Sequence, residues 1–452
     1  MCLVLVAFGG CNADFGSGVG IPGLLLMGAE WSMTPTQVNY AGNLSVLFLG
    51  VGGLFWIPVI HYWGRAPTFF WTQLIGTFMT LGCALTPNFA GYYGFRALQT
   101  FFLTSGQTMG LTVVKDMFFF HELARKIGLY VFIFYTSPYT SPMFAGYMVY
   151  NLNAWRPAFW MAFAFGAFLI VLILLFFDET FYVRENPYPR PPYSQKRRIL
   201  ELIGYYGFVE PRRPVIPSYG RLAAVIVKPV VIPVMIFFCA TFMWSIGINI
   251  TTSILIGSPA SEGGYGFSLE ATSYLYFTPI VALILGEAFG HWFNDFIANR
   301  YIKTHHGFFY PEVRLWPNYL ATAFMVPGLV LAGQALAYKW NYGVIIIGWG
   351  MYIFGIMICS VCTTSYILDC YPNAAGEVMG YMNFARTIVS PSLMLRLISR
   401  VDSRLGIINH SGERKKDLMC LLDCKQLLWQ RLWELLSYFR SSAGGFVIKL
   451  VQ

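Results

Sequence analysis

Residues 157–177, PAFWMAFAFGAFLIVLILLFF, run for twenty-one positions without a charged side chain, and Asp178-Glu179-Thr180 follow at once. A helix rises 1.5 Å per residue, so such a run spans about 30 Å, the thickness of a bilayer's hydrocarbon core. The rest of the chain repeats this pattern. Of its 452 residues 56% are apolar, 18% aromatic and only 11% charged, whereas a soluble domain carries roughly a quarter charged residues. A soluble enzyme, a disordered tail and a fibrous repeat are excluded. The sequence is that of a polytopic membrane protein.

Apolar runs long enough to span fall near 2–27, 40–60, 68–86, 92–113, 128–150 and 157–177. After a polar gap come 230–255, 272–293, 317–337 and 343–366. An eleventh begins near Met379 and loses its character, giving about 10–11 spans. No basic stretch precedes the first run, so it reads as a membrane helix rather than a secretory signal, and a cytosolic tail is expected upstream. Alternate loops carry sixteen Lys and Arg, from Arg65 to Arg314, while the opposite loops carry Arg156 and Lys339 alone. The basic set is cytosolic. The net charge of +9 therefore reports topology, not nucleic-acid binding.

The predicted architecture is all-α: an N-terminal six-helix bundle over 1–177, a cytosolic Pro-rich basic linker over 178–228 and an incomplete C-terminal bundle over 229–388. Two such bundles suggest a binding site at mid-membrane between them. Nine cysteines do not make a disulfide framework here. Cys359-x-x-Cys362 has no second pair or histidine beside it, and both read as packing residues.

Ionisable groups inside spans are expensive and mark function. Asp14 sits mid-span among Gly16, Gly18, Gly20 and Pro22, a pattern that loosens a helix and exposes carbonyls. Arg96 opens the fourth span; it keeps its proton at any working pH and needs an acceptor or a wet cavity. Glu287 lies deep in the eighth span, where a carboxyl suits the uptake and release of a proton. Asp14 and Glu287 belong to different halves, and a shared cation site at the interface is expected. Phe132, Phe134, Tyr135, Trp244 and Tyr276 are available to stack on an organic cation.

Several ordered motifs resemble the major facilitator superfamily, in its fungal drug–proton antiporter-like branch, which includes transporters of polyamines and other organic cations. His61-Tyr62-Trp63-Gly64-Arg65 resembles the family's Asp-Arg-x-Gly-Arg loop. Arg96-x-x-Gln99-Thr100 is similar to its Arg-x-x-Gln-Gly. Ser137-x-x-x-Ser141-Pro142-x-x-Ala145-Gly146 resembles the antiporter motif Gly-x-x-x-Gly-Pro-x-x-Gly-Gly, Asp178-Glu179-Thr180 its Pro-Glu-Thr exit, and Pro311-Glu312-Val313-Arg314-Leu315 a loop of fungal members. Asp295, in His291-Trp292-Phe293-Asn294-Asp295, falls where the family has a second loop signature.

The resemblance implies roles. Asp14, Arg96, Gln99 and Glu287 would bind solute or proton. His61, Gly64, Arg65, Pro142, Gly146 and Asp295 would serve gating and conformational change. His61 replaces the family's loop aspartate, which helps lock the halves on the cytosolic side, so that lock is expected to be weaker or pH-sensitive.

The resemblance stops at Ile388. The family phrase resumes only at Gly444-Gly445-Phe446, and Val389-Ser390 is what a splice donor encodes in frame. Residues 389–443 thus read as a retained intron or gene-model error, and 444–452 as a remnant of the eleventh span. The rival reading is an interfacial amphipathic helix bearing Leu418, Leu421, Leu428, Leu432 and Leu435.

The expected function is proton-coupled secondary transport of a small organic solute by alternating access. An organic cation is the expected solute, and protons and the bilayer are the other partners. A monomer is expected, in the plasma membrane or else the vacuolar membrane, with no cofactor, no metal and no nucleic acid. The alternative is a transport-incompetent sensor or truncated product. Catalysis is disfavoured, because neither the H-x-x-x-D at His291 nor the unfinished H-E-x-x-H at His121 has a nucleophile motif beside it.

Overall fold

Described here in a computed structural model are residues 1–118, 120–180, 195–205, 215–257, 265–305, 310–371 and 374–388, and among them every regular element is helical. The expected segments 389–443 and 444–452 lie outside the described residues.

The six spans expected in the N-terminal half form eight helices: α1 (Cys2–Gly18), α2 (Leu24–Trp31), α3 (Pro35–Trp63), α4 (Arg65–Leu85), α5 (Phe89–Leu103), α6 (Ser105–Met117), α7 (Phe120–Leu152) and α8 (Arg156–Phe176). The first span breaks at residues 19–23, where Gly20, Pro22 and Gly23 interrupt it as the glycine pattern predicts. The fourth breaks at Thr104, which the sequence does not flag. A capping box starts α3, with Thr34 and Gln37 exchanging hydrogen bonds of 3.3 and 3.0 Å and Pro35 in the first turn.

Among its described residues the linker region has the helices α9 (Gln195–Ile203) and α10 (Val215–Ile226). They dock on the adjoining ends of α3 and α4. Trp63 and Trp71 donate through their indoles to the carbonyls of Gly204 and Ile203, and Tyr219 donates to Phe55 O. The linker is structured at these points.

The second half contains α11 (Val231–Gly257), α12 (Leu269–Leu275), α13 (Phe277–Thr304), a 3-10 turn (Pro311–Leu315), α14 (Pro317–Tyr338) and α15 (Tyr342–Cys370). The last described helix, α16, covers 375–388 and corresponds to the start of the eleventh span. Seven of the helical stretches are long and apolar enough to cross a membrane by length and composition. Phe168, Val171, Leu174 and Leu175 of α8 are all exposed, as side chains facing lipid would be.

The halves meet along α7, which packs on α12 and α13 as well as on α1. Small residues permit the contact: a Cβ at Gly146 would overlap Ser273 Oγ of α12.

Candidate functional site

The break in the first span builds the site. A helix that ends at Gly18 leaves its last carbonyls without helical donors, and Arg96 supplies them. Its Nη1 donates to Gly16 O at 2.5 Å and its Nη2 to Ser17 O at 2.6 Å, while Gln99 Oε1 accepts from Nη1 at 3.1 Å. Gln99 in turn donates to Thr80 Oγ1 at 2.8 Å. The guanidinium is 1% exposed and lies 5.5 Å from the Phe159 ring centre. Among the described residues no carboxylate pairs with Arg96, and its charge is met by backbone carbonyls, the Gln99 amide oxygen and the rings of Phe159 and Tyr92.

Asp14, one turn earlier, finds a partner that sequence reasoning did not single out. Arg386 of α16 donates to both its oxygens, at 3.0 and 3.3 Å. The same guanidinium donates to Gln107 Oε1 at 3.3 Å and Asn383 Oδ1 at 3.0 Å, and lies 4.5 Å from the Phe134 ring centre. Asp14, Arg96 and Arg386 all line one internal cavity of about 100 Å3 between the halves. Tyr135 and Tyr139 of α7 and Phe242, Ser245 and Asn249 of α11 complete its walls.

The prolines of α7 shape this wall. Pro142 has no N–H to give the carbonyl of Pro138, four residues back. Asn249 Nδ2, from the other half, donates to that carbonyl at 3.4 Å. Pro138 frees Phe134 O in the same way, and Ser137 Oγ donates to it at 2.9 Å. Ser141 Oγ donates to Phe15 O, and Tyr139 Oη and Ser245 Oγ are 2.8 Å apart across the halves. The fifth-span motif thus reaches the cavity wall at Pro138, whose carbonyl Pro142 leaves free, and the inter-half contact at Gly146.

Glu287 is elsewhere. It does not line the cavity, and its carboxylate fills the space left by the missing side chain of Gly128, where a Cβ would lie 2.5 Å from Oε1. It has no ion-pair partner among the described residues, and its Oε2 is buried without a donor. The structure therefore does not bring Asp14 and Glu287 together: Asp14 is held by Arg386, while Glu287 lies at the α7–α13 contact.

The loop between α3 and α4 turns at Gly64, whose φ of 111° suits glycine. Arg65 pairs with Asp116 at the end of α6. Glu179 of the exit motif accepts the backbone N–H groups of Arg65 at 3.1 Å and Ala66 at 3.3 Å, placing a carboxylate on the N-terminus of α4. His61 faces the second half: its Nε2 is 4.0 Å from the buried carboxylate of Glu377 in α16, and Arg221 of α10 holds that carboxylate at 2.8 Å. Asp295 lies in α13, with its side chain outside the described residues.

Comparison with known proteins agrees with this architecture. The signature of the Major Facilitator Superfamily matches residues 6–392. Dityrosine transporter 1 of Saccharomyces cerevisiae is 22% identical over 87% of this chain and 73% of its own length. MFS antiporter QDR3 of Candida albicans is 26% identical over 40% of this chain and 26% of its own. Multidrug transporter TPO3 of Candida glabrata is 24% identical over 85% of this chain and 59% of its own. Among solved structures, the proton:xylose symporter XylE superposes with a TM-score of 0.63 at 12% identity, covering 95% of each chain. The human organic anion transporter MFSD10 superposes at 0.60 and 14% identity, covering 95% of this chain and 98% of its own. With its helical halves, its interfacial cavity and a family signature running through both, the chain is a member of the Major Facilitator Superfamily and an integral, multi-pass membrane protein.

Proposed function

We propose that the protein moves a small organic solute across the membrane by alternating access, coupled to protons. The observation that carries this reading is the cavity between the halves, crossed by the Asp14–Arg386 pair that links α1 to α16. A solute that changes this contact changes how the halves hold each other, which is how binding biases a two-state opening. Relatives named for dityrosine and for multiple drugs support a small organic cargo.

The proton reading rests on Glu287. It is a carboxyl with no basic partner among the described residues, held at the contact between α7 and α13. An unpaired carboxylate there is costly, whereas the protonated acid is not, so gain or loss of the proton alters the inter-half contact. The cytosolic latch of His61, Glu377 and Arg221 closes the opposite end of the cycle.

The test is translocation of a panel of radiolabelled organic solutes by cells expressing the full chain, with and without a protonophore. Movement should collapse with the gradient, and Glu287→Gln should still move solute down its concentration gradient while losing the proton dependence. Gradient-independent transport would leave a uniporter. Failure to move any solute, in a protein that folds and reaches the membrane, would favour the sensor reading.

A further inference from the structure

Resting on the transporter reading, we infer that the central cavity takes a small aromatic solute bearing a carboxylate, bound through Arg386 and Arg96, and disfavours an organic cation. The organic-cation expectation treats Asp14 as an open anionic site, and the structure gives that carboxylate to Arg386 through two hydrogen bonds.

Charge is the first argument. Among the described residues, the charged side chains lining the cavity are one carboxylate, Asp14, and two guanidiniums, Arg96 and Arg386. Neither arginine can shed its proton. The pair of Asp14 and Arg386 cancels, and Arg96 has no carboxylate partner among the described residues, so the cavity keeps a positive excess in a low-dielectric setting. A buried charge of this kind is stabilised by a counter-charge. An incoming cation would add to the repulsion and would have to displace Arg386 from Asp14.

The unused hydrogen-bond capacity points the same way. The Nε–H groups of Arg96 and Arg386 and the Nδ2 of Asn39, all in cavity-lining residues, are buried with no acceptor among the described residues; on the acceptor side stands Asn249 Oδ1. Both arginines are at least nine-tenths buried. Donors therefore outnumber acceptors, which a carboxylate, an acceptor-only group with several lone pairs, would answer.

The walls supply the rest of the ligand. Tyr92, Tyr135, Tyr139 and Phe242 line the cavity. Their rings give flat apolar surface for a ring of the solute. Binding and motion are joined at one group, since Arg386 ties α16 to Asp14 and Gln107 of the first half. A solute carboxylate that competes for this guanidinium loosens that tie as it binds.

The test uses three probes that share one ring and chain length: 3-phenylpropionate, 3-phenylpropanamide and 3-phenylpropylamine. Their binding to the purified full chain is read by thermal shift and by radioligand titration. 3-Phenylpropionate should bind, while the amide and amine should not at the same concentrations. Arg96→Gln should weaken it about tenfold, the loss of one charge-assisted hydrogen bond. In Asp14→Asn the probe should bind at least as tightly and stabilise the protein more, because Arg386 has lost its competing carboxylate; this variant keeps the test open should Arg96→Gln fail to fold. Preference for the amine, binding of all three alike, or binding of none would overturn the inference. Counterflow in liposomes, scored above the leak of empty vesicles, separates the two readings. A carboxylate bound but not moved removes the transporter reading and leaves the site. An amine moved with no carboxylate bound removes the site and leaves the transporter.

Discussion

Asp14 and Arg386 stand 372 positions apart in sequence and meet as a two-pronged ion pair at 3.0 and 3.3 Å. Each side chain is almost wholly buried. The pair joins the first helix to the last described one, and it is the charged contact across the cavity. Removing one member leaves the other unpaired in a low-dielectric site, which costs about 3 kcal/mol or more. Asp14→Asn should therefore lower the melting temperature of the detergent-solubilised protein by several degrees. Combining it with Arg386→Gln should recover most of the loss. A double variant no more stable than Asp14→Asn alone would mean that the pair does not act as a unit.

Arg96 does something a lysine cannot. It reaches Gly16 O and Ser17 O with two prongs of one planar group, and an ammonium presents a single point of charge. Arg96→Lys keeps the charge but gives up part of this clamp on the broken first helix. Transport should fall about tenfold, the effect of losing one charge-assisted hydrogen bond of about 1.5 kcal/mol. A variant with wild-type rates would show that charge alone suffices.

Much of this arrangement was legible in the sequence. The apolar run at 343–366 becomes a helix over Tyr342–Cys370, and the run at 317–337 becomes Pro317–Tyr338, because spans are dictated by composition over a length the bilayer fixes. Asp14 and Arg96 announced themselves through the cost of an ionisable group in hydrocarbon. Arg386 carries the same cost, yet it sits where the last apolar run fades into charged sequence and lacks an apolar frame to make it conspicuous. Its pairing with Asp14 has no local signal, since that contact is set by how the halves pack. Asn249 was missed for a related reason. A polar residue in a span is common, and only the three-dimensional fold shows that it meets a carbonyl freed by a proline on another helix.

That last contact is open to a double-mutant cycle. Asn249→Ala leaves Pro138 O without its donor in a buried wall, a loss of about 1–3 kcal/mol. Pro142→Ala restores a backbone N–H within reach of the same carbonyl. The cost of Asn249→Ala should then be smaller in the Pro142→Ala background, with a coupling of at least about 0.5 kcal/mol in melting experiments. Equal costs in both backgrounds would detach Asn249 from the proline.

At the start of α8, Arg156 and Trp155 donate to Glu30, at 2.5 and 3.0 Å from the arginine and 2.7 Å from the indole. The Arg156 hydrogen bonds hold the Glu30 carboxyl below its ordinary value of 4.5, against a smaller opposing effect of burial. A lowered folded value gives stability that is present above the unfolded glutamate range and is lost as pH falls through the folded value. The pair is largely exposed, so the contribution is below about 1 kcal/mol. Wild type should lose a small increment of stability between pH 5 and more acid conditions, roughly across the glutamate range. Glu30→Gln should lack that increment while matching wild-type acid behaviour otherwise. An unchanged acid-side slope in Glu30→Gln would assign the loss to other carboxylates.

His61 and Glu377 face each other at 4.0 Å across the halves, with Arg221 on the same carboxylate at 2.8 Å. Glu377 is 3% exposed, so a charge placed beside it is poorly screened by solvent. His61→Asp sets a second carboxylate against it, and like charges at that separation repel. His61→Lys places a fixed positive charge there and strengthens the tie. Two spin labels, on the His61 end of α3 and the Glu377 end of α16, report the distance between the halves. His61→Asp should shift the distribution towards longer, open distances, and His61→Lys towards shorter, closed ones. The two variants must move in opposite directions for the latch to be electrostatic. A shift to longer distances in both would mean that the imidazole holds this contact by shape, and that charge at His61 does not set which side of the transporter is open.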